Sequence, residues 1–343
     1  MDVELLWERA RIIRRVRDFF DRKQYLETDT PLLAPDLIPE TCLEVFQTAR
    51  VPPPESAIQS GEPCWLIPSP ELWMKRLIAR HGVSMYQICK CFRNGESTGR
   101  LHSPEFTMLE YYTMDADYLD SLDLTEELFV FLLENQDGER PAPPGSFPPF
   151  LRITVADAFS RWAGFDLYAA AERGPAALAG EARRLGLDPP PGLDTAALYD
   201  LIFVHAVEPK LPRDRPAALL DYPAFVPCLA KRGKDRRTVE RWELYVNGVE
   251  LANCYSEETD AEAVRRYFDA EGAAKRRHAL VPHAVDGGYW KLFLPKKNAA
   301  GETIPFPRCS GVAMGLDRLV MALTGRKTID GVLPFPLREQ FSP

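Results

Sequence analysis

Between Trp242 and Asn253 the chain alternates apolar and polar residues around an Asn-Gly pair: Trp242-Glu243-Leu244-Tyr245-Val246-Asn247-Gly248-Val249-Glu250-Leu251-Ala252-Asn253. No other stretch constrains the fold as much. Asn-Gly suits the two positive-φ positions of a type I′ turn, and that turn closes a hairpin in one register. The register pairs Val246 with Val249, Tyr245 with Glu250, Leu244 with Leu251 and Glu243 with Ala252. Leu244, Val246, Val249 and Leu251 then form the core face. Glu243 and Glu250 share the other face as diagonal neighbours, about 7–8 Å apart at Cα. Two carboxylates at that spacing repel unless a cation lies between them. Mg²⁺, which takes one or two carboxylates plus substrate phosphates, would serve. From the hairpin alone, a metal-bearing pair and a solvated strand face both stay open.

The rest of the pattern supplies helices around such a hairpin. Residues 3–23 predict a helix, with Ile12, Ile13, Val16, Phe19 and Phe20 at helical spacing. Tyr25 to Leu33 predicts a strand that ends or runs along an edge at Pro31. Residues 34–63 predict a loop, Trp65-Leu66-Ile67 a short strand, and Pro70 to Arg80 a helix start. Residues 85–93 and 105–112 predict strands, and 115–135 a helix. The Pro-rich stretch 141–149 reads as a connector and 153–240 as helical and irregular. A helix over 260–278, loops over 279–308, a strand over 309–314 and a helix over 316–324 complete the chain. The fold class is α+β: a mostly antiparallel sheet flanked by helices, in one domain over 1–343 with a helical or irregular insertion over 113–240.

Composition narrows the function. The 343 residues are 45% apolar and 27% charged, a globular balance that excludes wholesale disorder. Lys plus Arg is 42 and Asp plus Glu is 50, so the net charge is 42 − 50 = −8. A chain gripping a long nucleic acid carries a basic excess instead. No apolar run is long enough to cross a bilayer, and the charged N-terminus has no signal-peptide core. Seven cysteines without C-x-x-C spacing read as a reduced cytosolic protein without structural zinc. Cys89 and Cys91 read as small apolar residues on one strand face rather than a ligand pair. The basic runs 231–237 and 275–277 read as solvated faces.

Two further constellations carry chemistry. Phe92-Arg93-Asn94 closes one strand, and His102-Ser103-Pro104-Glu105-Phe106-Thr107-Met108-Leu109-Glu110-Tyr111-Tyr112 opens the next. Alternation puts Phe106, Met108, Glu110 and Tyr112 on one face. Arg93 suits a forked contact to phosphate or carboxylate, and Phe106 suits stacking on a base; an ordinary hairpin with a polar tip has the same pattern. In Cys309-Ser310-Gly311-Val312-Ala313-Met314-Gly315-Leu316-Asp317-Arg318, small residues at alternate positions bare one face of the backbone. Close ligand approach and tight helix–strand packing both use that device.

Taken together, these stretches resemble the three signature motifs of class II aminoacyl-tRNA synthetases. The first helix with Lys23 to Leu32 resembles motif 1, Phe92 to Glu110 motif 2, and Gly311 to Arg318 motif 3. Ser69-Pro70-Glu71 and Glu250-Leu251-Ala252-Asn253 point to the lysine-type branch. The motif 1 helix begins within the first few residues, leaving no room for an anticodon-reading OB-fold. The resemblance is therefore to the stand-alone paralogues that ligate (R)-β-lysine to elongation factor P. It implies ATP and Mg²⁺ as cofactors, (R)-β-lysine or lysine as donor, and elongation factor P rather than tRNA as acceptor; a lysine-activating enzyme with another acceptor (tRNA or a small amine) and a non-catalytic synthetase-like regulator stay open beside it. It also implies a cytoplasmic homodimer.

Residue by residue, the resemblance assigns Arg93 to the α-phosphate and substrate carboxylate, and Arg318 to the γ-phosphate, as the catalytic pair. Asn94, Glu96, His102, Ser103, Phe106, Glu250, Leu251 and Gly315 join them around ATP, with Glu96 contacting adenine and Phe106 stacking on it. Glu243 and Glu250 match the Mg²⁺ carboxylates. Ser69, Pro70, Glu71, Glu110, Tyr112, Asn253, Glu257 and Ala313 surround the amino acid, with Glu71 at one amine and Glu110, Tyr112 and Glu257 at the other. Simple alternation aims Asn253 at the wrong face, so a bulge or turn is expected there. Ala313 stands where lysyl-tRNA synthetases carry Gly. The chain departs from the ligase pattern in a motif 2 loop one residue longer, Ser103 for Asn, Cys254 and Ser256 for Gly and His, and a longer 284–308 stretch.

Overall fold

Helix α1 (Val3–Arg22) buries Ile12, Val16, Phe19 and Phe20, the stripe its spacing predicts. The computed structural model describes residues 3–51, 61–95, 99–134, 142–297 and 300–337. Where one strand was expected over 25–33 there are two, β1 (Leu26–Glu27) and β2 (Leu33–Ala34), which join different sheets. Pro31 between them has no N–H to continue a ladder. The stretch read as loop holds β3 (Gln47–Arg50), which pairs with β4 (Glu62–Leu66) and completes a small sheet with β2. Helix α2 (Glu71–His81) ends at Gly82, φ 58°, a left-handed stop that glycine adopts without strain. Strands β5 (Met85–Phe92) and β6 (Glu105–Met114) and helix α3 (Tyr118–Glu134) follow as expected.

The 153–240 stretch is not helical throughout. Strand β7 (Leu151–Thr154) precedes helices α4 (Val155–Ala158), α5 (Leu167–Glu172), α6 (Pro175–Arg184) and α7 (Thr195–Ile202), and β8 (Ala217–Pro223) then returns to the main sheet. Strands β9 (Thr238–Val246) and β10 (Val249–Ser256) form the Asn-Gly hairpin, with Asn247 at φ 54° and Gly248 at φ 77°. After α8 (Ala261–His278), the small hairpin β11 (Lys296–Lys297) and β12 (Thr303–Ile304) leads to β13 (Cys309–Gly315) and α9 (Leu316–Thr324).

The main sheet has eight strands in the order β1-β5-β6-β13-β10-β9-β8-β7. Only the outer pairs, β1 with β5 and β7 with β8, are parallel. Val246 pairs with Val249 and Tyr245 with Glu250, as the turn dictates. The next two expected pairs do not form. Leu244 faces Ala252 and Glu243 faces Asn253, because β10 carries one extra residue at Leu251. A bulge of this kind re-aims every later side chain by one position. It turns Asn253 onto the face of Glu243.

Behind the sheet, α1, α3 and α9 close a core with Phe20, Leu109, Tyr111, Leu244, Val312 and Leu319. Val249, expected in that core face, is only half-buried. In front, the 155–211 segments pack on Leu219, Tyr222 and Tyr245 at one end of the sheet. Residues from 34–78 and 264–306 pack on Met85 and Tyr112 at the other. The loop-rich 279–308 stretch belongs to that second wall, stacking Tyr289 on Phe268 (4.8 Å between ring centres) and Phe293 on Phe306 (4.4 Å). Between the walls the centre of the sheet forms the floor of a cleft.

Candidate active site

Strand pairing draws a line of side chains across that floor. Glu110 lies opposite Ala313, Ala313 opposite Asn253, and Asn253 opposite Glu243. Directly paired residues share a face. Tyr112, Gly311, Tyr255 and Arg241 make the next row.

One end suits a nucleotide. Arg93, just beyond β5, holds its guanidinium 5.3 Å from the centre of the Phe106 ring, a cation–π arrangement with the shape of a stacking clamp. Arg318, in the first turn of α9, donates from Nη1 to the Glu250 carbonyl (2.7 Å) and from Nε to the Leu101 carbonyl (3.2 Å). The atoms nearest to a Cβ on Gly315 would belong to the Arg318 side chain, at 3.6 Å or more, an ordinary contact. No protein neighbour demands the glycine, so bare backbone there leaves room for a ligand. Asn94 is occupied structurally: its amide donates to the Val45 carbonyl (3.3 Å) and accepts from the Gly95 N–H (2.9 Å). Leu251 points into the rear core and offers the cleft only backbone. His102 is half-buried and Ser103 buried where the chain returns toward β6. Glu96 lies outside the described residues.

The hairpin glutamates differ in environment. The hydroxyls of Tyr222 (2.6 Å) and Tyr245 (2.8 Å) donate to Glu243 Oε2, and Arg241 Nη2 reaches Oε1 at 2.5 Å. Among the described residues Glu250 pairs with Arg318 alone, at 3.8 Å. Surrounding protein, then Glu243, push its carboxyl up to about 7, against the pull of Arg318. Its side chain keeps 44% of its exposure inside the cleft, so a small ion can reach it. An under-neutralised carboxylate beside the two arginines fits Mg²⁺. Among the described residues no three His, Cys, Asp or Glu side chains gather around one point, so phosphate oxygens and water would supply the remaining ligands.

The other end is an acidic pocket. Ser69 and Pro70 lead into α2, and the Pro70 carbonyl accepts from Trp73 and Met74. That places Glu71 in the first turn and Lys75 one turn on. The Lys75 ammonium is 2.5 Å from Glu71 and 2.6 Å from Glu257. Tyr112 donates to Glu110 Oε1 (2.7 Å), while Glu110 Oε2 is buried with no hydrogen-bond partner. Burial, then Glu71, hold the Glu110 carboxyl well above the usual range. Gln87, paired with Glu110 across β5 and β6, is 1% exposed, and both its amide atoms lack partners. Unpaired buried polar atoms are costly, and a ligand ammonium would satisfy the two oxygens, Glu110 Oε2 and Gln87 Oε1. A Cβ on Gly311 would sit 2.5 Å from Glu257 Oε1 and from Tyr112 Cε1, so these two groups occupy the space that glycine leaves. Asn253 accepts from Arg241 (3.1 Å) and donates to the Tyr255 hydroxyl (3.1 Å).

Several of these residues were missed from sequence. Glu40, in the loop after β2, is pushed up to about 7 by burial and Glu71, with Arg93 opposing. Lys275 is buried and donates to the carbonyls of Glu40 (2.9 Å) and Leu43. It is therefore not part of a solvated basic run, as 275–277 was read. Arg241 and Tyr245 were findable, since alternation puts them beside Glu243. Lys75 stands four residues after Glu71, helix-pair spacing that also marks ordinary surface pairs. Tyr222, Gln87 and Glu40 carry no local signal. The sulfurs of Cys89 and Cys91 lie 3.8 Å apart on one face of β5.

The family described as tRNA synthetases class II (D, K and N) matches residues 3–339. The chain is similar to the elongation factor P–(R)-β-lysine ligase of Photobacterium profundum, at 35% identity over 340 residues, 98% of this chain and 96% of that protein. Ligases of the same name from Avibacterium paragallinarum (32%; 98% and 96%) and Vibrio atlanticus (34%; 97% and 96%) match equally fully. The chain belongs to the class II tRNA synthetase family, and within it to the branch of the elongation factor P–(R)-β-lysine ligases. No helix among the described residues is long and apolar enough to cross a membrane.

Proposed function

We propose that the protein activates a lysine-type diamino acid, (R)-β-lysine first and α-lysine second, as its adenylate, and transfers it to a lysine side chain of elongation factor P. The observation that carries this reading is the layout of the cleft. Arg93 with Phe106, and Arg318 with Glu250, lie at one end of a single sheet face. Buried Glu110, with Glu71 and Glu257, lies at the other. A donor carboxylate near Arg93 and its amines among the glutamates would span the two.

In the first step a donor carboxylate oxygen attacks the α-phosphorus of ATP, an O–P bond forms, and pyrophosphate leaves. Arg93 orients the carboxylate and α-phosphate, and Arg318 faces the departing phosphates, both offsetting developing charge. Mg²⁺ at Glu250, with Glu243 behind it, would supply further charge neutralisation. In the second step the acceptor lysine amine attacks the adenylate carbonyl, a proton is released, and AMP departs. No side chain of this protein becomes a covalent intermediate. We place the protein in this role as a homodimer built through α1.

Intact mass of elongation factor P after incubation with the protein, ATP and Mg²⁺ tests the reading, in parallel with (R)-β-lysine, α-lysine or neither. One added lysyl mass that requires both ATP and donor supports it. Amino-acid-dependent pyrophosphate exchange without added mass would keep the adenylation site and reject the acceptor.

A further inference from the structure

The sequence pattern makes Cys89 and Cys91 small apolar residues on one strand face; the fold makes them a pair. Alternate side chains of a strand stand about 7 Å apart along it. The Cys89 and Cys91 sulfurs lie only 3.8 Å apart, so the two thiols lean toward each other. Both share the cleft face of β5 with Gln87. Met108 stands directly across from Cys89, and Phe106 from Cys91. Cys91 is fully buried, whereas Cys89 is partly open. The pair lies between the two ends of the cleft, because Cys91 feels the charges of both Glu110 and Arg93.

We infer that Cys89 and Cys91, with the Met108 thioether as third donor, form a binding site for one soft thiophilic cation, Cu(I) in particular, and that the bound ion blocks the donor's place in the cleft. The sulfur separation is the bite of a metal. Two metal–sulfur bonds of about 2.3 Å across 3.8 Å enclose an angle of about 110°, so both thiols can hold one ion without the strand moving. Directly paired residues such as Cys89 and Met108 have Cβ atoms about 5 Å apart, within reach of a flexible methionine. Among the described residues no three His, Cys, Asp or Glu side chains gather around one point, so no nitrogen or oxygen side chain completes the pair. Two thiolates and a thioether are a soft set, which suits Cu(I) and not Mg²⁺. On binding, two thiolate–copper bonds form, both thiols release their protons to solvent, and the thioether donates a lone pair. The bound cluster keeps one net negative charge, which the Arg93 guanidinium offsets. The ion enters from the open Cys89 side and lies on the path between Arg93 and Glu110 that the donor would span.

Binding of the ion is independent of the proposed diamino-acid activation; its effect on the donor rests on that reading. Binding is tested by anaerobic titration with Cu(I) against a chromogenic Cu(I) chelator. Wild type is expected to retain one more ion per chain than C89S/C91S, and C42A, which removes the exposed thiol, is expected to match wild type. M108L is expected to weaken retention about tenfold; unchanged retention would strike the thioether from the site. Equal retention by wild type and C89S/C91S would overturn the inference, as would loss of the ion in C42A. If C91S does not fold, C89S, at the more open position, decides by itself. The effect on the donor is read by ATP–pyrophosphate exchange with lysine and (R)-β-lysine. One equivalent of Cu(I) is expected to raise the donor KM of wild type by about tenfold or more and to leave the KM for ATP within about twofold, with no such rise in C89S/C91S. Retention without that rise would take the ion out of the donor's path. No exchange by metal-free wild type with either diamino acid would overturn the functional reading and leave the retention result standing.

Discussion

Arg9 of α1 and Asp317 of α9 meet behind the sheet at 2.6 Å, from opposite ends of the chain. Asp317 also accepts from the Thr107 amide (2.7 Å), and Arg9 donates to the Thr107 hydroxyl (3.1 Å). Three motifs are thus tied by one buried pair, directly beneath the strand that carries Phe106 and Glu110. Removing one partner leaves the other charged and buried, which typically costs about 3–5 kcal/mol. Asp317→Ala is expected to destabilise the protein by that amount in urea denaturation. A loss under about 1 kcal/mol would show that the tie is dispensable.

Phe106→Leu and Arg93→Ala separate two roles at the nucleotide end. Losing a ring that stacks on a base costs about 1–3 kcal/mol, so Phe106→Leu is expected to raise the KM for ATP in pyrophosphate exchange roughly 5- to 150-fold. Arg93→Ala is expected to lower kcat at least about 100-fold, as loss of a charge-stabilising donor does. An unchanged KM for ATP in Phe106→Leu would remove the stacking assignment.

Glu250 links activity and stability to pH. Its carboxyl is raised to about 7 in the folded chain, so below that pH protons compete with a cation. The apparent Mg²⁺ affinity is expected to fall about tenfold for each unit well below pH 7 and to level off above it. The stability sign is opposite. Between its ordinary value and 7 the unfolded state has already released the proton that the folded state keeps, so rising pH lowers stability. With a chelator present, melting temperature should fall from pH 5 to pH 7, and Glu250→Gln should flatten that slope.

Gly311→Ala tests the amine pocket without altering charge. The new methyl falls 2.5 Å from Glu257 Oε1 and Tyr112 Cε1, so one of them must move. The donor KM should rise about tenfold or more, with the KM for ATP unchanged and a stability loss of about 1–3 kcal/mol. Wild-type donor kinetics in a folded Gly311→Ala variant would place the donor elsewhere.

What the sequence made legible was what repeats locally. Asn247-Gly248 set the turn, alternation set the cleft face of β6, and helical spacing placed α8 and α9 almost to the residue. Strand β8, Ala217 to Pro223, is buried along nearly its whole length and shows no alternation to detect. Strand β3, Gln47 to Arg50, is exposed throughout and has no apolar face at all. The bulge at Leu251 was anticipated only because Asn253 needed it, since nothing in Glu250-Leu251-Ala252 announces an extra residue. The pairing of Lys75 with Glu257 joins α2 to the end of β10, a long-range meeting that no local period records.

Strand β13 lies between β6 and β10, although it leaves the ribosome last of the three. Until about 310 residues have emerged, β6 and β10 have no shared neighbour. Glu110 and Asn253 are then unregistered with each other, and Arg9 has no Asp317. The cleft floor cannot be proofread piece by piece during translation. A message truncated before Cys309 would encode every glutamate of the acidic pocket and both hairpin carboxylates, yet leave two half-sheets with open edges, a form suited to capture by chaperones or proteases rather than to slow catalysis.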